Sequence, residues 1–115
     1  QTRDYVYAGD VAGANFAAAT VDLPPRGRLD ARAFNIGTSI ETSVNTLAET
    51  LRAVSSTDSP IDYVPARAGE LARSALATTK AQSVLGWAPR VTLREGLENT
   101  YRFFADRRAR VETPA

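Results

Sequence analysis

The chain contains no cysteine and no histidine, and only one of its 14 basic residues, Lys80, is lysine. Disulfides, thiolate nucleophiles, zinc sites of the Cys/His type and imidazole acid–base chemistry are therefore excluded. Carboxylates, tyrosines, arginines and Lys80 are what is left to act. The absence of cysteine fits a reducing compartment. No stretch from Gln1 to Asp10 resembles a signal peptide, and no apolar run is long enough to span a bilayer, so a cytoplasmic protein without membrane contact is expected. Glycine pairs at the spacing of a Walker or dinucleotide loop are missing too, and carboxylates occur singly.

What is present is ordinary in amount. At 115 residues there is room for one domain, residues 1–115, with an expected core burying roughly two thirds of the unfolded surface. Apolar residues make up 43% and charged residues 23%, which excludes a disordered tail or a fibre. The net charge is +1, with 13 arginines. Arginine's planar fork suits carboxylate and phosphate, while codon composition is the bland cause of the same bias. Arg107, Arg108 and Arg110 read as a solvated helix end, and nucleic-acid contact is not expected.

Periodicity predicts alternating strands and helices. Arg3 to Tyr7 reads as a strand, and Asp10 starts a helix that runs to Thr20. Pro24, Pro25 and Gly27 make Asp22 to Asp30 a loop, after which Ala33 to Ile36 reads as a second strand. Thr42 or Ser43 caps a helix whose Val44, Leu47, Ala48, Leu51 and Val54 share one face. Ile61 to Val64 reads as a third strand, followed by an irregular loop between Pro65 and Gly69. Thr79 with Gln82 forms a capping box for a short helix closed by Gly86. Thr92 with Glu95 repeats the box, opening a helix with Leu93, Leu97, Tyr101 and Phe104 as a core stripe and Phe103 beside it. This is an α/β pattern with some parallel pairing.

Arginines in loop or strand positions beside tyrosine and glycine stand out, notably Arg3 with Tyr5, and Arg67 ahead of Gly69 and Glu70. Such a loop arginine suits anion capture, a surface ion pair being the competing reading.

The segments Arg3-Asp4-Tyr5-Val6-Tyr7, Asn35-Ile36-Gly37-Thr38, Thr42-Ser43-Val44, Pro65-Ala66-Arg67-Ala68-Gly69-Glu70, Lys80-Ala81, Leu85-Gly86-Trp87 with Pro89, and Glu95-Gly96-Leu97 stand in one order. Over nearly the whole chain they resemble the carboxy-terminal part of the NAD-dependent epimerase/dehydratase family, the extended short-chain dehydrogenase/reductases, nearest to nucleotide-sugar 4-epimerases. Ala8, Gly9, Ser39 and Ala77 depart from the family's usual Val, Asp, Gly and Asp.

The resemblance implies a small α/β substrate-binding domain with few short strands and helices, the Rossmann domain being absent. It implies a nucleotide diphosphate-sugar as ligand, a UDP-sugar first, and NAD as the cofactor of a full-length parent but none in this chain. Arg3 and Arg67 match arginines on the substrate's phosphates, Tyr5 and Val44 match positions lining the nucleotide and its base, and Glu70 matches a carboxylate on the ribose or on Arg67. The family's catalytic Tyr-x-x-x-Lys is missing: Gly9, Val11, Arg67 and Ala105 stand four positions after the four tyrosines. No catalytic residue and no metal ligand is assigned, so the chain is expected to be inactive alone. Asn35 and Trp87 are expected to anchor structure, and Lys80 to lie on the surface. A dehydratase or reductase portion, or a binding module that has lost catalysis, are the alternatives. The start at Gln1 suggests a piece of a longer protein, with a missing Rossmann domain as partner and self-association in its absence.

Overall fold

The computed structural model describes residues 1–113. Three helices dominate: α1 (Ala8–Thr20), α2 (Val44–Ser55) and α3 (Leu93–Glu112). A π-helical turn, Ala81–Leu85, precedes α3. Two strands of two residues each, β1 (Thr2–Arg3) and β2 (Thr42–Ser43), pair antiparallel with Thr2 opposite Ser43 and Arg3 opposite Thr42. One parallel bridge joins Thr2 to Arg73.

The result is the small, helix-rich α/β piece with few short strands that was expected, but its sheet is antiparallel and parallel pairing is confined to that one bridge. Among the described residues the segments 33–36 and 61–64 are not strands, and the first strand ends at Arg3. Composition suits a pleated surface, but a strand also needs a ladder partner, and the chain brings no neighbour alongside these segments. Phe34 and Ile36 still pack on the core, whereas Tyr63 and Val64 are exposed.

Helix boundaries follow the capping chemistry where a cap exists. Ser43 accepts a hydrogen bond from the Thr46 amide at 3.0 Å and starts α2, and Thr92 accepts from the Glu95 amide at 3.2 Å and starts α3. Gly86 closes the π-helical turn at φ +63, a conformation that suits glycine. Thr79 does not cap that turn; Gln82 instead donates from its side chain to the Thr78 hydroxyl.

Asp10 is not the start of α1, which begins two residues earlier with no side-chain cap on Tyr7. Its carboxylate accepts the Arg90 and Val91 amides at 3.0 Å each, and its carbonyl accepts the Trp87 indole N–H at 2.8 Å. α1 is thereby fastened to the lead-in of α3. Trp87 is buried with Ala14, Ala81 and Leu85 in the main core cluster, while α2 packs against α3 as a second layer. Tyr7 wedges between the two layers: a Cβ on Gly9 would lie 2.8 Å from its ring, and one on Gly96 would lie 3.3 Å away.

A second carboxylate organises the other end. Asp4 accepts from the Thr38 amide (2.7 Å) and hydroxyl (2.6 Å), the Ser39 amide (2.9 Å) and the Leu76 amide (3.4 Å). It covers Gly37 so closely that a Cβ there would meet a carboxylate oxygen at 2.6 Å. Ser39 takes φ +62 where the resembling family has glycine, and its hydroxyl donates to the Leu76 carbonyl at 2.7 Å. That bond offsets part of the backbone strain. Partial burial pushes the Asp4 carboxyl up, but the four donors outweigh it and hold the group below its ordinary value of 3.8.

The body is flat and open, with a radius of gyration of 17.8 Å and extents of 52 × 44 × 21 Å. A compact chain of this length measures roughly 13 Å. Accessible surface is 8805 Å², against roughly 6,100 Å² for a compact monomer of this mass, so about half of the unfolded surface is buried rather than the two thirds expected. The far half of α3 shows the reason. Phe103 and Phe104 stack edge to face with centroids 5.3 Å apart, yet are 60% and 58% exposed, and Tyr101 is exposed with them. The expected core stripe therefore covers α2 only through its first turns.

Asp4 and Gly37 give a sharp test. Gly37→Ala should cost roughly 1–3 kcal/mol through overpacking against a pinned carboxylate, and Asp4→Ala should remove most of that cost, as a double-mutant cycle by urea unfolding will read. Asp4 releases its proton more readily folded than unfolded, so its contribution is fully present above about pH 4 and declines as pH falls through the lowered value; Asp4→Asn should flatten that acid limb in the same titration. The uncovered apolar surface should drive self-association, and a strictly monomeric chain at high concentration in sedimentation velocity contradicts this.

Candidate functional site

β1, the start of α2 and the loop that follows α2 bring four of the five candidate residues into one neighbourhood. A groove of about 350 Å³ runs between the start of α2 and the segment 61–70. Val44, Asn45 and Ala48 of α2 form one wall, and Tyr63, Arg67 and Glu70 contribute to the other. Gly69 at φ +80 turns the chain there, and the Glu70 amide reaches back to the Arg67 carbonyl at 3.4 Å.

Arg3 stands behind this groove rather than in its lining. Its Nη1 donates to the Thr2 and Leu71 carbonyls, both at 2.8 Å, and its Nη2 lies 3.8 Å from the Glu70 carboxylate. Glu70 thus faces the groove and the Arg3 guanidinium at once. With the Arg3–Glu70 contact this long and both side chains partly exposed, the pair is loosely made and contributes little stability. One Arg3 nitrogen is committed to backbone, whereas Nη2 keeps capacity for an anion. Arg67 makes no ion pair among the described residues.

Tyr5 is elsewhere. It lines a hollow of about 270 Å³ between the 5–8 segment, α2 and α3, together with Leu47, Leu93, Gly96 and Leu97, and a second one beside Thr38 and Arg90. The structure therefore joins Val44, Arg67, Glu70 and, at one remove, Arg3, but does not bring Tyr5 to them. Asn35 donates to the Ala77 carbonyl at 3.4 Å, and Lys80 donates to the Asp30 and Ala33 carbonyls with the Phe34 ring 5.0 Å away. Lys80 is more than a surface charge: it holds the 22–34 loop on the core.

Sequence reasoning missed Asn45 and Tyr63 in the groove. Asn45 follows Val44 in α2, so the helix start that placed Val44 was a usable signal. Tyr63 was hidden by its reading as a strand residue. It also missed Glu41, which takes both Nε and Nη2 of Arg73 at 2.9 Å and the Thr2 hydroxyl at 3.1 Å. Arg73, with Thr2 beside it, holds the Glu41 carboxyl below its usual range, and Glu41 raises the Arg73 guanidinium in turn. Among the described residues no group of three or more His, Cys, Asp or Glu side chains has the arrangement of a metal site, and no helix is long and apolar enough to cross a membrane.

A model of the family described as GDP-mannose 4,6 dehydratase matches residues 1–100. The UDP-glucose 4-epimerase of Mycolicibacterium smegmatis is 41% identical over 107 residues, which is 92% of this chain and 32% of that protein. A putative UDP-glucose 4-epimerase of Methanocaldococcus jannaschii is 41% identical over 98 residues, 85% of this chain and 29% of its own length. The crystal structure of UDP-glucose 4-epimerase from Thermotoga maritima with UDP-glucose is similar with a TM-score of 0.78 at 38% identity, covering 90% of this chain and 31% of that one. The Bordetella bronchiseptica enzyme WbmF in complex with NAD+ and UDP gives a TM-score of 0.74 at 27% identity, covering 97% and 31%. The chain spans about a third of the length of the relatives it matches.

Proposed function

This chain belongs to the NAD-dependent epimerase/dehydratase family, and from that premise we propose that it is the nucleotide-sugar-binding portion of a UDP-glucose 4-epimerase-like enzyme. The observation that carries the reading is the groove in which Arg67, with no ion pair among the described residues, stands beside Glu70 and Val44, with Arg3 on the other side of the same glutamate. A diphosphate entering beside Arg67 meets a bidentate donor, and a small rotation of Arg3 away from its 3.8 Å contact brings a second. Val44, 42% exposed, offers an apolar face for a base, and Glu70 an acceptor for ribose hydroxyls. Tyr5, from its separate hollow, acts through the packing of α2 and α3 rather than on the nucleotide of this groove. Similarity to a UDP-glucose 4-epimerase whose structure holds UDP-glucose, and to the enzyme WbmF in complex with UDP, supports uridine as the base.

NAD belongs to the rest of the parent enzyme in this proposal, because the residues present do not fit it. Dinucleotides are cradled where a glycine-rich turn opens a helix, leaving the first amides free. Here α1 opens on Tyr7, whose ring closes over Gly9, and no glycine pair has the required spacing. The Tyr-x-x-x-Lys pair is missing as well, so the chain by itself holds the nucleotide and orients the sugar without reacting it. Fixing the unreactive end of a substrate still serves the rate through orientation. In this reading the chain holds a soluble metabolite, in the cytoplasm.

The match to the GDP-mannose 4,6 dehydratase model, and 36% identity over 70 residues to a putative GDP-L-fucose synthase from rice, favour a second reading in which the parent is a dehydratase or reductase.

Calorimetric titration separates the two. UDP should bind more tightly than GDP, and Arg67→Ala should weaken UDP at least tenfold, in line with about 1.5–3 kcal/mol for a charge-assisted hydrogen bond. A preference for GDP moves the assignment to the second reading, and failure to bind either nucleotide overturns both. The chain alone should not interconvert UDP-glucose and UDP-galactose, and turnover by it refutes the division of labour.

A further inference from the structure

We propose that the Glu41–Arg73 ion pair positions the Arg67 loop, setting the shape of the groove without touching its occupant. The two walls of the groove have unequal support. One is helix α2, internally bonded and capped by Ser43. The other, residues 61–70, has no helix or strand. Its backbone bond at Glu70 is to Arg67, within the loop itself.

Firm attachment begins just beyond the loop. Leu71 accepts from Arg3 at 2.8 Å, Ala72 accepts from the Thr2 amide at 2.9 Å, and the Ser74 amide donates to Thr2 at 3.1 Å. Arg73 lies in the middle of this run, bridged to Thr2. Its guanidinium grips both oxygens of Glu41, which immediately precedes β2 and so the cap of α2. The pair therefore ties the root of one wall to the root of the other. Two parallel hydrogen bonds fix the angle of a guanidinium as well as its distance, which a single contact does not. The Arg73 side chain is largely solvent-exposed, so the pair adds little to global stability and its effect falls on the loop.

The chain's lack of cysteine makes this measurable. Nitroxides attached through Glu49→Cys on α2 and Ala68→Cys on the loop, both exposed positions outside the pair, report the distance between the walls by pulsed electron resonance. Glu41→Gln should broaden that distribution while the unfolding midpoint stays within a few degrees. Exchanging the partners, Glu41→Arg with Arg73→Glu, should narrow it again. An unchanged width in Glu41→Gln, or broadening that the exchange does not reverse, overturns the proposal. A second arm rests on the nucleotide reading above: Glu41→Gln should weaken UDP three- to tenfold, and the exchange should recover most of it. Wild-type chain that fails to take up UDP refutes that reading, and the distance arm then decides the ion pair alone. If UDP binds wild type and Glu41→Gln equally well, the loop's position does not shape the groove and the proposal falls.

Discussion

Backbone amides outside helices need acceptors, and in this chain two aspartates supply many of them. A protein with so little sheet has no ladder to satisfy its connecting segments. Asp4 gathers the amides of Thr38, Ser39 and Leu76, and Asp10 those of Arg90 and Val91. Each carboxylate fixes the geometry of a connection, and each connection fixes a helix or a loop relative to its neighbours. The groove depends on the same economy, since Arg3 and Glu41 add side-chain bonds to the two backbone bonds by which Thr2 holds the segment after Glu70.

The flatness of the molecule follows from the small core. Among the described residues four buried apolar side chains define the centre, and others such as Phe16, Tyr63, Phe103 and Val111 remain in water. A helix with two adjacent phenylalanines uncovered is unusual for a chain that completes its own core, because apolar burial is the main source of stability. The relatives are about three times as long, and the surface uncovered here is of the kind that a larger polypeptide covers.

Local chemistry was legible in the sequence and distant chemistry was not. Ser43 and Thr92 cap their helices because the acceptor and the amide it serves lie three positions apart, a distance visible in the chain itself. Gly86 ends its turn for a similarly local reason. α1 ends at Thr20 and α3 starts at Leu93 as the pattern predicts, but Asp10 is no cap, its partners lying 80 and 81 residues away. The strands failed through the same blindness: Ile61 to Val64 has strand composition, yet pairing is a property of two segments. At the site, family resemblance singled out Arg3, Arg67, Glu70 and Val44, which the fold places in or next to one groove, and Tyr5, which it places elsewhere. The Glu41–Arg73 pair spans 32 positions and carries no motif.

The long spans of the aspartate contacts bear on how the polypeptide reaches its native state. Asp4 meets partners 34, 35 and 72 positions along, and Asp10 meets its own at 80 and 81. Large loops must close, at a cost in chain entropy, before either carboxylate is rewarded. Helical proteins of this size ordinarily collapse quickly because their contacts are local. This one carries helices whose arrangement is decided by remote partners, so it should fold more slowly than a bundle of the same size held by local contacts.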